Sequence, residues 1–98
     1  MTAKHDSLSV ILRVIADPTR RRILANLKNS SKGDAKAAGL CASDIEARIG
    51  LSQPTISHHM AVLEKAGLVE SKKDQQWRRY RRNERAIKEF AKILKESL

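Results

Sequence analysis

Cysteine and aromatic residues are both scarce in this chain, and each shortage closes a class of explanation. The single cysteine, Cys41, has no partner for an internal disulfide. Trp77, Tyr80 and Phe90 are the only aromatics. The core must therefore come from Leu, Ile, Val and Ala, as in small helical domains. No stretch approaches the roughly 18 apolar residues of a membrane span. The opening residues MTAKHDSLSV lack the apolar run of a secretory signal, so a cytoplasmic protein with no membrane partner is expected. No segment pairs a broad Trp/Leu/Phe face with a basic face, which argues against a membrane-surface helix. There is no glycine-rich phosphate loop, no metal-ligand set and no nucleophile with an arranged base, so neither an enzyme nor a bound cofactor is expected. What is abundant is positive charge. Twenty Lys and Arg against eleven Asp and Glu leave a net +9 over 98 residues. Such a surplus attracts polyanions. The length suits one domain, 1–98, with a thin core that favours oligomerisation.

Leu8, Ile11, Leu12 and Ile15 recur at helical spacing and predict a first helix over 7–16, with Val10 and Val14 adding a second apolar side. A helix apolar on more than one side has two partners. Asp17-Pro18 reads as an N-cap followed by proline at the first helical position, opening a second helix from Pro18 to about Leu27. Arg20, Arg21 and Arg22 crowd its first turn, where the helix dipole disfavours cations. A bound phosphate, an acidic partner or a solvated charge run each accounts for them. Residues 29–40 are small and polar and read as a loop, with room for a short strand near Leu40.

Ser43 and Glu46 have capping-box spacing, giving a short third helix over 44–49. Gly50 is its left-handed cap and Leu51 is expected to be buried in the turn. Ser52 caps a fourth helix whose inward stripe is Ile56, Met60 and Leu63, ending at Ala66-Gly67. A strand from Leu68 to about Lys73, a tip at Asp74-Gln75-Gln76 and a return from Trp77 to Arg82 form a hairpin. No Asn-Gly or Asp-Gly marks its register. Asn83 caps a fifth helix with the stripe Ile87, Phe90, Ala91, Leu94 and Leu98.

Two short helices joined through Gly50-Leu51-Ser52, followed at once by a basic hairpin, describe a winged helix-turn-helix. The fold class is mainly α with a small β-hairpin: five helices plus a two-stranded wing. A helix entering a DNA major groove needs short polar residues and no carboxylate on its outward face near the N-terminus. Gln53, Thr55, Ser57 and His58 meet that demand. On the hairpin, Lys72, Lys73, Arg78, Arg79, Arg81 and Arg82 stand against Glu70 and Asp74. Alternation puts Arg79 and Arg81 on the face of Trp77, and Arg78 and Arg82 on that of Tyr80. Tyr80 is the aromatic expected to pack on the domain. A basic ribbon of this density suits phosphate contact, so double-stranded DNA is the expected partner. A winged helix that binds RNA, or an acidic protein, is the alternative.

Three stretches carry a resemblance: Ile15-Ala16-Asp17-Pro18-Thr19-Arg20-Arg21-Arg22-Ile23-Leu24, Leu51-Ser52-Gln53-Pro54-Thr55-Ile56-Ser57-His58-His59-Met60 and Ala66-Gly67-Leu68-Val69. From about residue 8 onward the chain resembles the ArsR/SmtB family of bacterial and archaeal repressors. That likeness implies a homodimer built on the first and last helices, bound to an imperfect inverted repeat and blocking promoter access. It places Gln53, Thr55, Ser57 and His58 at the DNA-reading positions, and matches Tyr80-Arg81 to a Tyr-Arg pair ending the wing. Leu8, Leu12, Ile15, Phe90 and Leu94 become the dimer contacts.

The family's metal sites do not carry over. One uses a Cys-x-Cys-Asp box at the third helix, where this chain has Cys41-Ala42-Ser43-Asp44. A single thiolate holds a soft metal poorly. The other uses Asp and His on the last helix, and residues 84–98 contain neither. His5 and Asp6 are candidate ligands only in principle. His58 and His59, being adjacent on a helix, point about 100° apart and cannot share an ion. No metal is expected. Cys41 is either a redox switch or a half-buried packing residue.

Overall fold

The computed structural model describes residues 3–30 and 39–98. Its elements run α1 (Ala3–Ile15), α2 (Pro18–Ser30), β1 (Leu40–Cys41), α3 (Ala42–Ile49), α4 (Gln53–Lys65), β2 (Val69–Asp74), β3 (Trp77–Arg82) and α5 (Glu84–Ser97). The side chains of His5 and Asp6 and the centre of the 29–40 loop lie outside the described residues. Helix α1 starts before residue 7 and α2 runs past Leu27. In both cases the added residues carry no run of large apolar side chains and leave no apolar period to read.

The core is assembled by α2, α3 and α4. Ile23 and Leu27 come from α2, Ile45 and Ile49 from α3, and Ile56, Met60 and Leu63 from α4, joined by Leu40, Leu68 and Val69. Removing each such side chain from water contributes about 1.5–3 kcal/mol. In α1 it is Val14 that reaches the core, with Ile11 and Ile15 packed beside it, while Val10 and Leu12 stay exposed. Helix α5 lies along α1, and none of its side chains is fully buried. Leu98 falls beyond the helix and is exposed, so the apolar stripe expected to include it stops at Leu94.

The expected Asp17 cap is present. Its Oδ1 accepts from the amides of Thr19 (2.8 Å) and Arg20 (3.4 Å). Desolvation raises the Asp17 pKa, but the two amides, with the Arg20 charge, outweigh it and hold the carboxyl below its ordinary value. The arginines that crowd the start of α2 turn back onto the end of α1. Arg20 Nη1 donates to the Val14 carbonyl at 3.2 Å, and Arg21 Nη1 donates to that of Ile15. What disfavours cations at the head of α2 favours them at the tail of α1.

The sheet has the order β1-β3-β2 and is antiparallel throughout. The wing is thus a hairpin with a third short strand on its inner edge, Leu40 opposite Tyr80 and Cys41 opposite Arg79. That strand moves the start of α3. Cys41, at the end of β1, is its N-cap, and the Cys41 amide donates to Asp44 Oδ2 at 3.1 Å. The capping spacing expected at Ser43 and Glu46 is therefore displaced two residues toward the N-terminus. In the hairpin Asp74 pairs with Trp77, so the tip is Gln75-Gln76 alone. Gln75 takes φ 59° without being glycine, which is why no turn signature marks it.

Gly39, leading into β1, has φ +111°, and a Cβ there would stand 2.6 Å from the Tyr80 carbonyl oxygen. Gly50, at φ +81°, has nothing within 4 Å of the same position. Urea unfolding should separate the two. Gly39→Ala combines backbone strain with a clash against a paired strand and should cost about 2–4 kcal/mol. Gly50→Ala carries strain alone and should cost about 1 kcal/mol. Equal losses would mean that the close approach of β1 to β3 is not what requires glycine at 39.

Candidate nucleic-acid interface

Helices α3 and α4 form the helix-turn-helix. Gly50 leaves α3 in the left-handed conformation, its amide donating to the Glu46 carbonyl at 2.8 Å. Leu51 does not bury as expected. It is 38% exposed, because the turn that Gly50 begins carries it out over the surface. Ser52 is the N-cap of α4, and its Oγ lies 3.0 Å from Thr55 Oγ1. This contact holds the first turn of α4 and orients the Thr55 hydroxyl.

Along α4 the inward and outward sides divide as their spacing requires. Ile56, His59, Met60 and Leu63 are buried. Gln53, Thr55, Ser57 and His58 are all exposed. The first turn has no acidic residue, and its unpaired amides point outward with the positive end of the helix dipole. The result is a short, polar, carboxylate-free ridge fixed to the domain by a continuous apolar stripe.

The wing presents two unlike faces. Tyr80 is half-buried against the core and Val69 is fully buried, so Val69, Ser71, Lys73, Arg78, Tyr80 and Arg82 share the inner side. Burial and the Glu64 charge raise the Tyr80 pKa above its ordinary value, with Arg78 opposing, so the phenol keeps its proton at neutral pH. The outer side carries Glu70, Lys72, Trp77, Arg79 and Arg81, and Trp77 is 54% exposed. Arg81 Nε pairs with Glu70 Oε1 at 3.1 Å, both half-exposed. Pairs of this kind contribute only about 0–1 kcal/mol, so the guanidinium can exchange its partner at small cost. Arg82 pairs with Glu84 at 2.9 Å at the start of α5. There Asn83 Oδ1 caps the helix by accepting from the Ala86 amide.

Two connections between these parts are not legible from spacing. Arg78 Nη1 donates to Ser71 Oγ at 2.8 Å, and Ser71 Oγ donates to Glu64 Oε2 at 2.6 Å, a relay from the wing to the last turns of α4. Arg78 therefore reaches inward as well as carrying charge. Arg20 Nε donates to His59 Nδ1 at 3.2 Å, joining α2 to α4. Only the register of the hairpin and the crossing of α2 over α4 bring these groups together. The one local hint is the place of His59 at the flank of the core stripe, which points to its burial.

Cys41 is half-buried. Among the described residues no group of three or more His, Cys, Asp or Glu is placed to hold a metal ion. Among them, too, no helix is long and apolar enough to cross a membrane.

Comparison with known proteins agrees with this geometry. A helix-turn-helix domain family matches residues 15–72. A helix-turn-helix-type transcriptional regulator of Methanocaldococcus jannaschii is 33% identical over 93 residues, covering 95% of this chain and 97% of that one. The arsenical resistance operon repressor of Escherichia coli is 33% identical over 87 residues, covering 89% and 68%. Among solved structures, an ArsR-like transcriptional regulator from Rhodococcus superposes with a TM-score of 0.80 at 26% identity, covering 97% of this chain and 82% of that one. With its five helices, its winged hairpin and these relatives, the chain belongs to the ArsR family of winged helix-turn-helix transcriptional regulators.

Proposed function

We propose that this chain is a repressor that binds an inverted-repeat operator in double-stranded DNA as a homodimer and acts by occupying the promoter. The observation that carries the reading is the outward side of α4. Gln53, Thr55, Ser57 and His58 are exposed on a ridge with no acidic residue in its first turn, while the opposite side is locked in the core. Side chains of this type and length reach base edges in a major groove. Lys72, Lys73, Arg78, Arg79 and Arg81 on the wing would track the sugar-phosphate backbone, which positions the reading helix without itself carrying sequence information.

The dimer has its own support. Helix α5 is amphipathic yet contributes no fully buried residue to its own protomer. An open apolar groove between α2 and α5 is lined by Ile15, Leu24, Ile87 and Phe90. Leu12 is exposed, and Leu8 and Leu94 are half-covered. A second copy would cover this surface with the same surface of its own, as two-fold symmetry requires. The whole of 1–98 then works as one reading and dimerising domain.

The test is selection from a pool of random duplexes, followed by footprinting of the enriched sequence and of the DNA upstream of the protein's own gene. Two protected half-sites should be related by inverted symmetry, with centres about 34–36 Å apart or a multiple of that. Uniform, sequence-blind protection would instead mean a non-specific basic binder.

A further inference from the structure

Arg20 is half-buried at the junction of three helices, and its guanidinium is used as a fork. Nη1 donates to the Val14 carbonyl in the last turn of α1, and Nε donates to Nδ1 of His59 in α4. Asp17, capping α2, accepts from the Arg20 amide and adds a nearby negative charge. His59 is 9% exposed, and its imidazole accepts the bond at Nδ1, which it does only while that nitrogen is unprotonated. It is the one buried polar side chain among the described residues, set in the stripe of Ile56, Met60 and Leu63. A buried polar group needs a partner, and Arg20 is the partner it has. One planar cation therefore bridges the helix that carries Leu12 and the helix that carries Gln53 and Ser57.

We propose that Arg20 is a positioning residue for DNA reading. By tying the end of α1 to His59 it sets the angle at which each protomer presents α4 relative to the dimer axis, and so the half-site spacing that the dimer accepts. The inference rests on the function proposed above. The apolar stripe sets which side of α4 turns inward, and the forked hydrogen bond adds a directional tie from its middle to the end of α1. Glu64, Ser71 and Arg78 hold the C-terminal turn of the same helix against the wing. With its middle and its C-terminal turn held, a change in how two protomers meet along α1 is carried to the reading helix as a rigid displacement.

The probe is the duplex most enriched by the wild-type protein, with a scrambled duplex of equal length and a series whose spacer is longer or shorter by one and two base pairs. Wild type should lose about tenfold or more in affinity with each spacer change. Arg20→Ala should lose about tenfold on the parent duplex and vary less than about threefold across the series. Its affinity for scrambled DNA and its salt slope should stay at the wild-type values. Arg20→Lys, whose single ammonium cannot span both acceptors, should behave like Arg20→Ala. His59→Leu should do the same, and should add nothing to Arg20→Ala in the double variant. His59→Gln, with an amide oxygen to accept from Nε, should stay within about threefold of wild type. Sedimentation and thermal melting accompany each variant. If Arg20→Ala does not fold, Arg20→Lys and His59→Leu carry the same test.

Retention of the wild-type spacing preference by the folded variants overturns the proposal. So does an equal loss on scrambled DNA with a salt slope lower by about one, which would make Arg20 a phosphate contact. Failure to enrich any duplex with wild-type protein would instead remove the reading of α4 itself, and this inference with it.

Discussion

Replacing Gln53 or Ser57 with alanine should weaken binding to the enriched duplex by about 1–3 kcal/mol per half-site while leaving random-sequence DNA almost unaffected. Both side chains are exposed on the ridge of α4. Neither packs in the core, so truncation should leave the fold unchanged. The loss should roughly double in a dimer, because both half-sites are touched. Lys72→Ala, or Arg79→Ala opposite it on the wing, should behave otherwise. Each should weaken specific and random DNA alike and lower the salt slope by about one unit, as a lost phosphate contact does. Affinities of the four variants on both duplexes, measured across a salt series, separate reading from anchoring. If the α4 variants and the wing variants prove indistinguishable, α4 is not the reading helix.

The second large effect concerns the surface that α1 and α5 leave uncovered. Wild-type protein at micromolar concentration should sediment at about twice the 11.0 kDa chain mass. Leu12→Glu should shift it to the monomer, as should Leu94→Glu. Leu12 is 39% exposed in the single protomer, so a carboxylate there costs little until a partner buries it. Burial of an unpaired charge then costs several kcal/mol. Helix content should persist, since neither residue belongs to the buried cluster. Affinity for the inverted repeat should fall by about a hundredfold or more, because one protomer grips only one half-site and loses the gain from linked binding. A wild-type monomer at this concentration would remove the dimer from the account. A variant that stays dimeric would move the interface elsewhere.

The reading side of α4 is legible in the sequence alone. Ile56, Met60 and Leu63 repeat at helical spacing, and what lies between them must point outward. Caps are legible where the capping residue sits beside the backbone it serves, as with Asp17 and Asn83. Gly50 is legible because a left-handed residue between two helices favours glycine. Tyr80, rather than Trp77, packs on the domain as expected, since Val69 and Tyr80 lie on one side of the hairpin and Trp77 on the other. Leu51 departs from expectation because an apolar side chain in a turn need not be buried. The cap of α3 departs from it because the short strand expected near Leu40 runs through Cys41 and leads straight into the helix, which moves the helix start.

Local sequence is enough to settle which side of α4 turns inward, where most helices begin and end, and the run of cations on the ribbon, though not which of the two apolar sides of α1 meets the core. Each of these follows from a period of 3.6 or 2, or from a residue acting on its immediate neighbours. Which distant groups meet is settled by tertiary packing instead. Leu40 and Cys41 add a strand beside Tyr80 and Arg79, Glu64 reaches Arg78 through Ser71, and Arg20 finds His59 across 39 positions. The arginines at the head of α2 invite an outside anion, yet two of them serve carbonyls at the end of α1. Hydrogen bonds between elements depend on crossing angles and strand register, which come from the packing of the whole core. No local repeat encodes them, and two of them, at His59 and Glu64, tie α4 to α2 and to the wing.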